Sequence, residues 1–210
     1  MKYGLVIFDF DGTLADSFPF FVRTVDQLAD RHGFMRVGPE ELETMRGQTA
    51  RQILARVGLP LWKVPKLARD YTALMAAQID QIQLFPGVAP LLHRLADAGV
   101  TLAVVSSNAE GNVRRVLGPE GARRMRVIEG GVSLFGKRMR LQKVLRTTRF
   151  APREALYVGD EVRDAEAARG AGIAFGAVTW GYATAASLLT HNPAELFSGP
   201  AQIADTLLAV

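Results

Sequence analysis

A chain of 210 residues, 49% apolar and 22% charged, is long enough for one substantial hydrophobic core, or a core carrying a small inserted unit. It contains no cysteine, which excludes disulfides, thiolate zinc sites and a cysteine nucleophile, and suits a reducing compartment. The net charge of +4 raises nucleic acid as a partner, but the basic residues between Lys137 and Arg149 lack aromatic interleaving and match no nucleic-acid-binding pattern, so a solvated helix face is expected.

Met1-Lys2-Tyr3 opens the chain without the apolar stretch of a signal peptide, and no run approaches the length that crosses a bilayer. The expectation is a cytoplasmic protein with no nucleic-acid or membrane partner, a monomer or weak homodimer.

In chain order, Leu5 to Phe8 is an apolar run that delivers Asp9-Phe10-Asp11-Gly12-Thr13-Leu14. Alternation along an extended chain puts Asp9 and Asp11 on one face and Phe10 on the other. Gly12 allows a sharp turn and a close approach to a ligand. Two carboxylates this close repel unless a proton or cation is shared between them. Oxygen donors at such density suit a hard cation, and Mg2+ is the natural choice. The competing reading is a strand end followed by an Asp-Gly hairpin turn.

Residues 16–82 carry no strand-like run and read as helices over 20–31, 39–45, 50–57 and 61–82, punctuated by glycine and proline. From Leu84 the texture changes. A helix over 88–98 stops at Gly99, a branched apolar run over 100–105 reads as a strand, and Ser106-Ser107-Asn108 leads into a helix over 109–117. A short strand near 127–128, a helix over 141–148, a strand over 156–158, a helix over 162–171 and a strand over 173–178 follow. The last helices fall around 183–189 and 200–209. Alternating strands and helices predict an α/β fold, a doubly wound parallel sheet that binds ligands beyond the carboxyl ends of its strands. Residues 1–15 and 84–210 would form this Rossmann-like core, and 16–83 an inserted all-helical cap domain.

Three strand ends then carry polar groups to one edge: Asp9 and Asp11, Ser106 to Asn108, and Gly159-Asp160 with Asp164 following. A hydroxyl and free amides at a helix start make a phosphate cradle, although Ser106 to Asn108 also read as a helix cap, as does Asp160.

Taken with Lys137, these residues are similar in order and content to the four motifs of the haloacid dehalogenase-like hydrolase superfamily. The helical segment resembles one class of its caps, and the whole looks most like the phosphoglycolate-phosphatase-type branch. The resemblance implies a Mg2+-dependent phosphatase acting on a small phosphorylated metabolite. Asp9 would be the nucleophile that forms an aspartyl phosphate, and Asp11 the general acid and base. Mg2+ would sit on Asp9, the backbone carbonyl of Asp11 and Asp160, with Asp164 supporting the site through water or the lysine. Ser106 and Lys137 would act in catalysis by holding the phosphoryl group, with backbone amides near Phe10, Asp11 and Ser107 helping.

The family lysine is often followed by proline, whereas Lys137 is followed by Arg138, which leaves Lys143 as a competitor. Lys137 is preferred because it follows Gly136 in an expected loop before the helix. Arg46, in Met45-Arg46-Gly47-Gln48-Thr49, falls at the family's specificity loop. It would either reach a carboxylate or second phosphate on the substrate, or complement a helix dipole. Phe18, Phe20 and Phe21 would line the pocket or pack, and Trp180-Gly181-Tyr182 would flank the site as a structural loop. A phosphomutase and a non-catalytic phosphate-binding regulator share these motifs and stand as alternatives.

Overall fold

The computed structural model describes residues 2–131 and 136–209, apart from the side chains of Pro39 and Ala50. Its elements are β1 (Leu5–Phe8), α1 (Phe18–His32), α2 (Pro39–Met45), α3 (Ala50–Arg56), α4 (Val64–Ala77), α5 (Val88–Asp97), β2 (Thr101–Val105), α6 (Glu110–Arg124), β3 (Met125–Glu129), α7 (Lys137–Thr148), β4 (Ala155–Gly159), α8 (Val162–Ala171), β5 (Ala174–Val178), α9 (Ala185–Leu189), β6 (Glu195–Phe197) and α10 (Pro200–Leu208).

The six strands form one sheet in the order β3-β2-β1-β4-β5-β6, and every pairing is parallel. This is the doubly wound arrangement that alternating strands and helices predict. It disposes of the hairpin reading of Asp11-Gly12, because both neighbours of β1 run parallel to it. Chain order reverses at β1, so the crevice beyond the ends of β1 and β4 is where such sheets hold ligands.

Burial alternates along the strands. Val6, Phe8 and Phe10 pack on one side of the sheet with Leu102, Val104, Leu156 and Val158. Leu5 and Ile7 pack on the other, with Ala103, Val105, Ala155 and Tyr157 and the inner faces of α7 and α8. A strand covered on both faces has to be apolar throughout, which is why β1 reads as an unbroken hydrophobic run. Each such side chain contributes about 1.5–3 kcal/mol on burial. Asp9 is therefore aimed at the α7–α8 side, and Phe10 into the opposite core.

Residues 16–83 are helical, as expected, but not one long helix over 61–82. A 3-10 turn at Leu61–Lys63 precedes α4, and another follows at Ile79–Gln81. Pro65 sits in the first turn of α4, the one place where its missing N–H breaks no helical hydrogen bond. The chain enters and leaves this helical segment side by side: Ala15 bridges Leu84, Asp16 N–H donates to the Gln83 carbonyl at 2.9 Å, and Phe85 N–H to the Leu14 carbonyl at 2.9 Å. The segment has a small core of its own around Val37, Met45, Val57, Leu59 and Val64. Phe20, Met75, Ile79 and Ile82 instead join the main core, so α4 spans the two, with Val64 in the small core and Met75 in the main one.

Beyond shifts of a few residues at element ends, three differences matter here. β6 was not anticipated, since three residues are too few for a periodic signal. α6 runs on to Arg124 past a kink at Gly118, whose backbone leaves the helical region just before Pro119. α7 begins at Lys137, not Leu141, so Lys137 opens the helix and does not precede it in a loop.

Candidate active site

Lys137 Nζ lies 2.7 Å from Asp9 Oδ2 and 2.6 Å from Asp164 Oδ1, with all three side chains 2% exposed or less. Three elements meet to make this contact: the end of β1, the start of α7 and the first turn of α8. Tyr157, on the same face of β4, donates its hydroxyl to Asp164 Oδ1 at 3.0 Å, and the Glu161 N–H donates to Asp164 Oδ2 at 3.1 Å. Buried charges cost several kcal/mol each unless paired, so the cluster depends on mutual compensation.

That compensation is uneven. Burial alone would lower the Lys137 pKa, but Asp164 and then Asp9 outweigh it and hold the ammonium above its usual value. Burial pushes Asp164 up, yet Lys137 and Arg163 bring it below the usual carboxylate range. For Asp9 burial wins over Lys137, and its pKa is raised. Lys137 is thus secured chiefly by Asp164. Asp9 Oδ2 lies close to the ammonium but receives no aligned hydrogen bond.

Asp160 follows β4. The residue at the amino-terminal cap of α8 is Glu161, which leaves the Asp160 carboxylate free to face β1. Thr13 Oγ1 and the Tyr182 N–H each donate to it at 2.7 Å. Burial, followed by the charges of Glu161, Asp9 and Asp164, raises its pKa well above normal. Carboxylate oxygens of Asp9, Asp160 and Asp164 lie within 4.8 Å of one another, all buried. An all-oxygen set with excess negative charge, and an Asp9 oxygen without a hydrogen bond, fits a hard divalent metal ion. Two glycines make room for the Asp160 carboxylate. A Cβ on Gly12, whose φ is +78°, would stand 2.3 Å from Asp160 Oδ2, and a Cβ on Gly181 would stand equally close.

Asp11 has different company. Asn108 Nδ2 donates to its two oxygens at 3.1 and 3.3 Å, and burial raises its pKa against the opposing hydrogen bonds from Ser17 and Asn108. The helix-cap reading of Ser106 to Asn108 does not hold, because the cap of α6 is Ala109. Instead Ser106 Oγ accepts the Asn108 N–H at 3.0 Å, fully buried, and Ser107 is half-buried beside it. Lys143 lies far along α7, paired at the surface with Glu129 at 2.7 Å.

A cleft of about 590 Å³ meets this cluster at Lys137, with Phe18, Phe21, Gln48, Thr49 and Tyr182 among its other lining residues. Phe20 is not part of it and packs in the core. Arg46 also borders the cleft, but its nitrogens are engaged. Nε donates to the Tyr182 carbonyl at 2.9 Å, Nη2 to the Gly181 carbonyl at 2.8 Å and Nη1 to Glu43 at 2.9 Å. Its guanidinium stands over the Phe18 ring.

Sequence reasoning passed over Thr13, Ser17, Tyr157 and Arg163. Tyr157 was within reach, since alternation back from Gly159 puts it on the Asp9 side. Tyr182 was noted only as part of a flanking loop.

The site is thus a buried lysine and an acidic cluster gathered beyond the carboxyl ends of two neighbouring strands of a parallel α/β sheet. A family model described as haloacid dehalogenase-like hydrolase matches residues 6–178, and the chain belongs to that family. The phosphoglycolate phosphatase of Synechococcus elongatus is 34% identical over 199 residues, covering 94% of this chain and 94% of that protein. The tyrosine-protein kinase PtkA of Mycobacterium tuberculosis is 34% identical over 206 residues, covering 89% of this chain and 68% of that protein. The solved structure of a haloacid dehalogenase-like hydrolase from Streptococcus pneumoniae shares the fold, with a TM-score of 0.81 at 22% identity, covering 98% of this chain and 99% of that one. Among the described residues no helix is long and apolar enough to cross a membrane.

Proposed function

We propose that this chain is a Mg2+-dependent phosphomonoesterase that hydrolyses a small phosphorylated acid of the phosphoglycolate kind through an aspartyl phosphate on Asp9. The observation that carries the reading is the separation of two carboxylates one residue apart. Asp9 lies against Lys137, while Asp11 is held by Asn108 with a raised pKa. A nucleophile has to be ionised and a proton donor protonated: the Lys137 ammonium beside Asp9 opposes the rise that burial imposes there, and a bound Mg2+ would oppose it further, whereas the hydrogen-bond donors that reach Asp11, Ser17 and Asn108, are uncharged.

Asp9, Asp160 and the backbone of Asp11 would hold the Mg2+, with Asp164 as support. When bound, the ion would offset the charge of nucleophile and phosphate. Asp9 attacks phosphorus from the end of a rigid strand, and Asp11 gives its proton to the leaving oxygen. Asp11 then takes a proton from the water that opens the phosphoenzyme. Lys137 balances the negative charge that gathers on Asp9 and the phosphoryl oxygens, and Ser106 with the amides near Phe10, Asp11 and Ser107 orients them. Helices of residues 16–83 act as a cap that shuts bulk water from the cleft.

The relative named as a phosphoglycolate phosphatase aligns over nearly the whole of both chains, whereas the one named as a tyrosine kinase extends well beyond the match. This favours hydrolysis over transfer to protein. The test is phosphate release from 2-phosphoglycolate and p-nitrophenyl phosphate, with and without Mg2+, by the wild type and Asp9→Asn. Mg2+-dependent release that Asp9→Asn abolishes is expected. Silence on a broad panel of phosphate esters would end the proposal.

A further inference from the structure

We propose that Arg46 is a positioning residue: it latches the helical segment onto the loop that follows β5 and through that loop sets the carboxylate of Asp160. It is then not the reader of a substrate anion that its place in the sequence suggests. This rests on the reading of Asp160 as a metal ligand.

The contact is made from both sides. Arg46 donates to the carbonyls of Gly181 and Tyr182, and the Thr184 N–H donates back to the Arg46 carbonyl at 3.2 Å. Three hydrogen bonds thus join one residue of the helical segment to three residues of the core, Gly181, Tyr182 and Thr184. Glu43 takes up Nη1, and the Phe18 ring lies against the guanidinium, so the side chain is held on every edge before any ligand arrives. Phe18 in turn packs edge-on against the Tyr182 ring, and the Tyr182 hydroxyl meets Ser17 Oγ at 3.0 Å.

The same loop is built onto Asp160. The Tyr182 N–H donates to Asp160 Oδ2 at 2.7 Å, and the Ala183 N–H to the Asp160 carbonyl at 3.2 Å. Gly181 is pressed so close that a Cβ would stand 2.3 Å from the Asp160 side chain. The peptide units whose carbonyls Arg46 grips are therefore those that border Asp160. One N–H fixes the plane of that carboxylate, and Arg46 fixes the peptide that carries the N–H. Closing the helical segment and completing the acidic cluster become one event, a coupling of the kind that links domain closure to an assembled site.

Metal-free protein, wild type, Arg46→Lys and Arg46→Ala, is to be studied by calorimetry with Mg2+ alone and by amide hydrogen exchange, followed by turnover at low and saturating Mg2+. Loss of a charge-assisted hydrogen bond predicts that Arg46→Ala weakens Mg2+ binding roughly tenfold and speeds exchange at Tyr182 and Thr184 by a similar factor, with the lysine variant in between. The kcat should fall equally on 2-phosphoglycolate and p-nitrophenyl phosphate at low Mg2+, and recover when Mg2+ is saturating. A rise in KM confined to the acidic substrate, with Mg2+ affinity unchanged, would make Arg46 a substrate reader and overturn the latch. Faster exchange throughout the chain with no rescue by Mg2+ would reduce it to general stability, also against the proposal. Exchange and calorimetry need no substrate. A wild type that binds Mg2+ but hydrolyses nothing therefore removes the proposed function and leaves the latch standing, while a wild type that binds no Mg2+ removes the metal reading first.

Discussion

The Tyr157 hydroxyl donates to the very oxygen of Asp164 that holds Lys137, so a residue of the central sheet fixes the anion that anchors the site's lysine. The order of dependence runs from β4 to α8 to α7. Tyr157→Phe keeps the ring and its packing but removes a hydrogen bond to a charged acceptor, which should cost about 1.5–3 kcal/mol of stability. Urea unfolding measures this, and an unchanged midpoint would mean that the hydroxyl carries no load.

Lys137→Met leaves Asp9 and Asp164 buried without their shared cation. Removing one partner of a buried ion pair costs about 3–5 kcal/mol, and loss of such preorganised charge lowers kcat by ~100-fold or more. The stability loss should be larger in chelator than in Mg2+, because the metal takes over part of the compensation. Melting curves under the two conditions decide it, and identical losses would argue that no metal shares this charge.

Asp11→Asn would remove the proposed proton donor and leave Asp9 on Lys137. With 2-phosphoglycolate, whose leaving alkoxide needs a proton, single-turnover cleavage should slow by about 10²–10⁴. With p-nitrophenyl phosphate, whose leaving phenolate needs none, the slowing should be much smaller. A burst of p-nitrophenol should precede slow turnover as the phosphoenzyme accumulates. Equal slowing on both substrates would contradict the assignment of Asp11 as acid.

Mg2+ should stabilise the folded chain, because Asp9, Asp160 and Asp164 stand within 4.8 Å of one another in the folded state alone. At a hundred times its dissociation constant the gain is about 2.7 kcal/mol. Asp160→Asn should abolish the Mg2+-dependent rise in melting temperature. Persistence of that rise in the variant would place the ion elsewhere.

Much of the site was legible in the chain because it follows strands that are apolar throughout. Leu5 to Phe8, 100–105 and 156–158 could hardly be anything but buried strands, and polar residues at their ends had to gather on one edge of a parallel sheet. Other choices were not legible. Lys137 and Lys143 stand on one helix, and only the point where α7 begins brings the first to Asp9 and sends the second to Glu129. The carbonyls that Arg46 grips lie 135 and 136 residues away, beyond any local pattern.

The order of residues alone determined the sheet, the helical insertion and the aspartates at the strand ends, since periodicity and burial act over a few neighbouring positions. The tertiary structure decided which oxygen meets which cation. It separated Asp9 from Asp11 by the company each keeps, freed Asp160 by giving the cap of α8 to Glu161, and turned Arg46 toward the loop at Gly181 and Tyr182. Those outcomes depend on distances between segments far apart in the chain, which only packing of the completed fold sets.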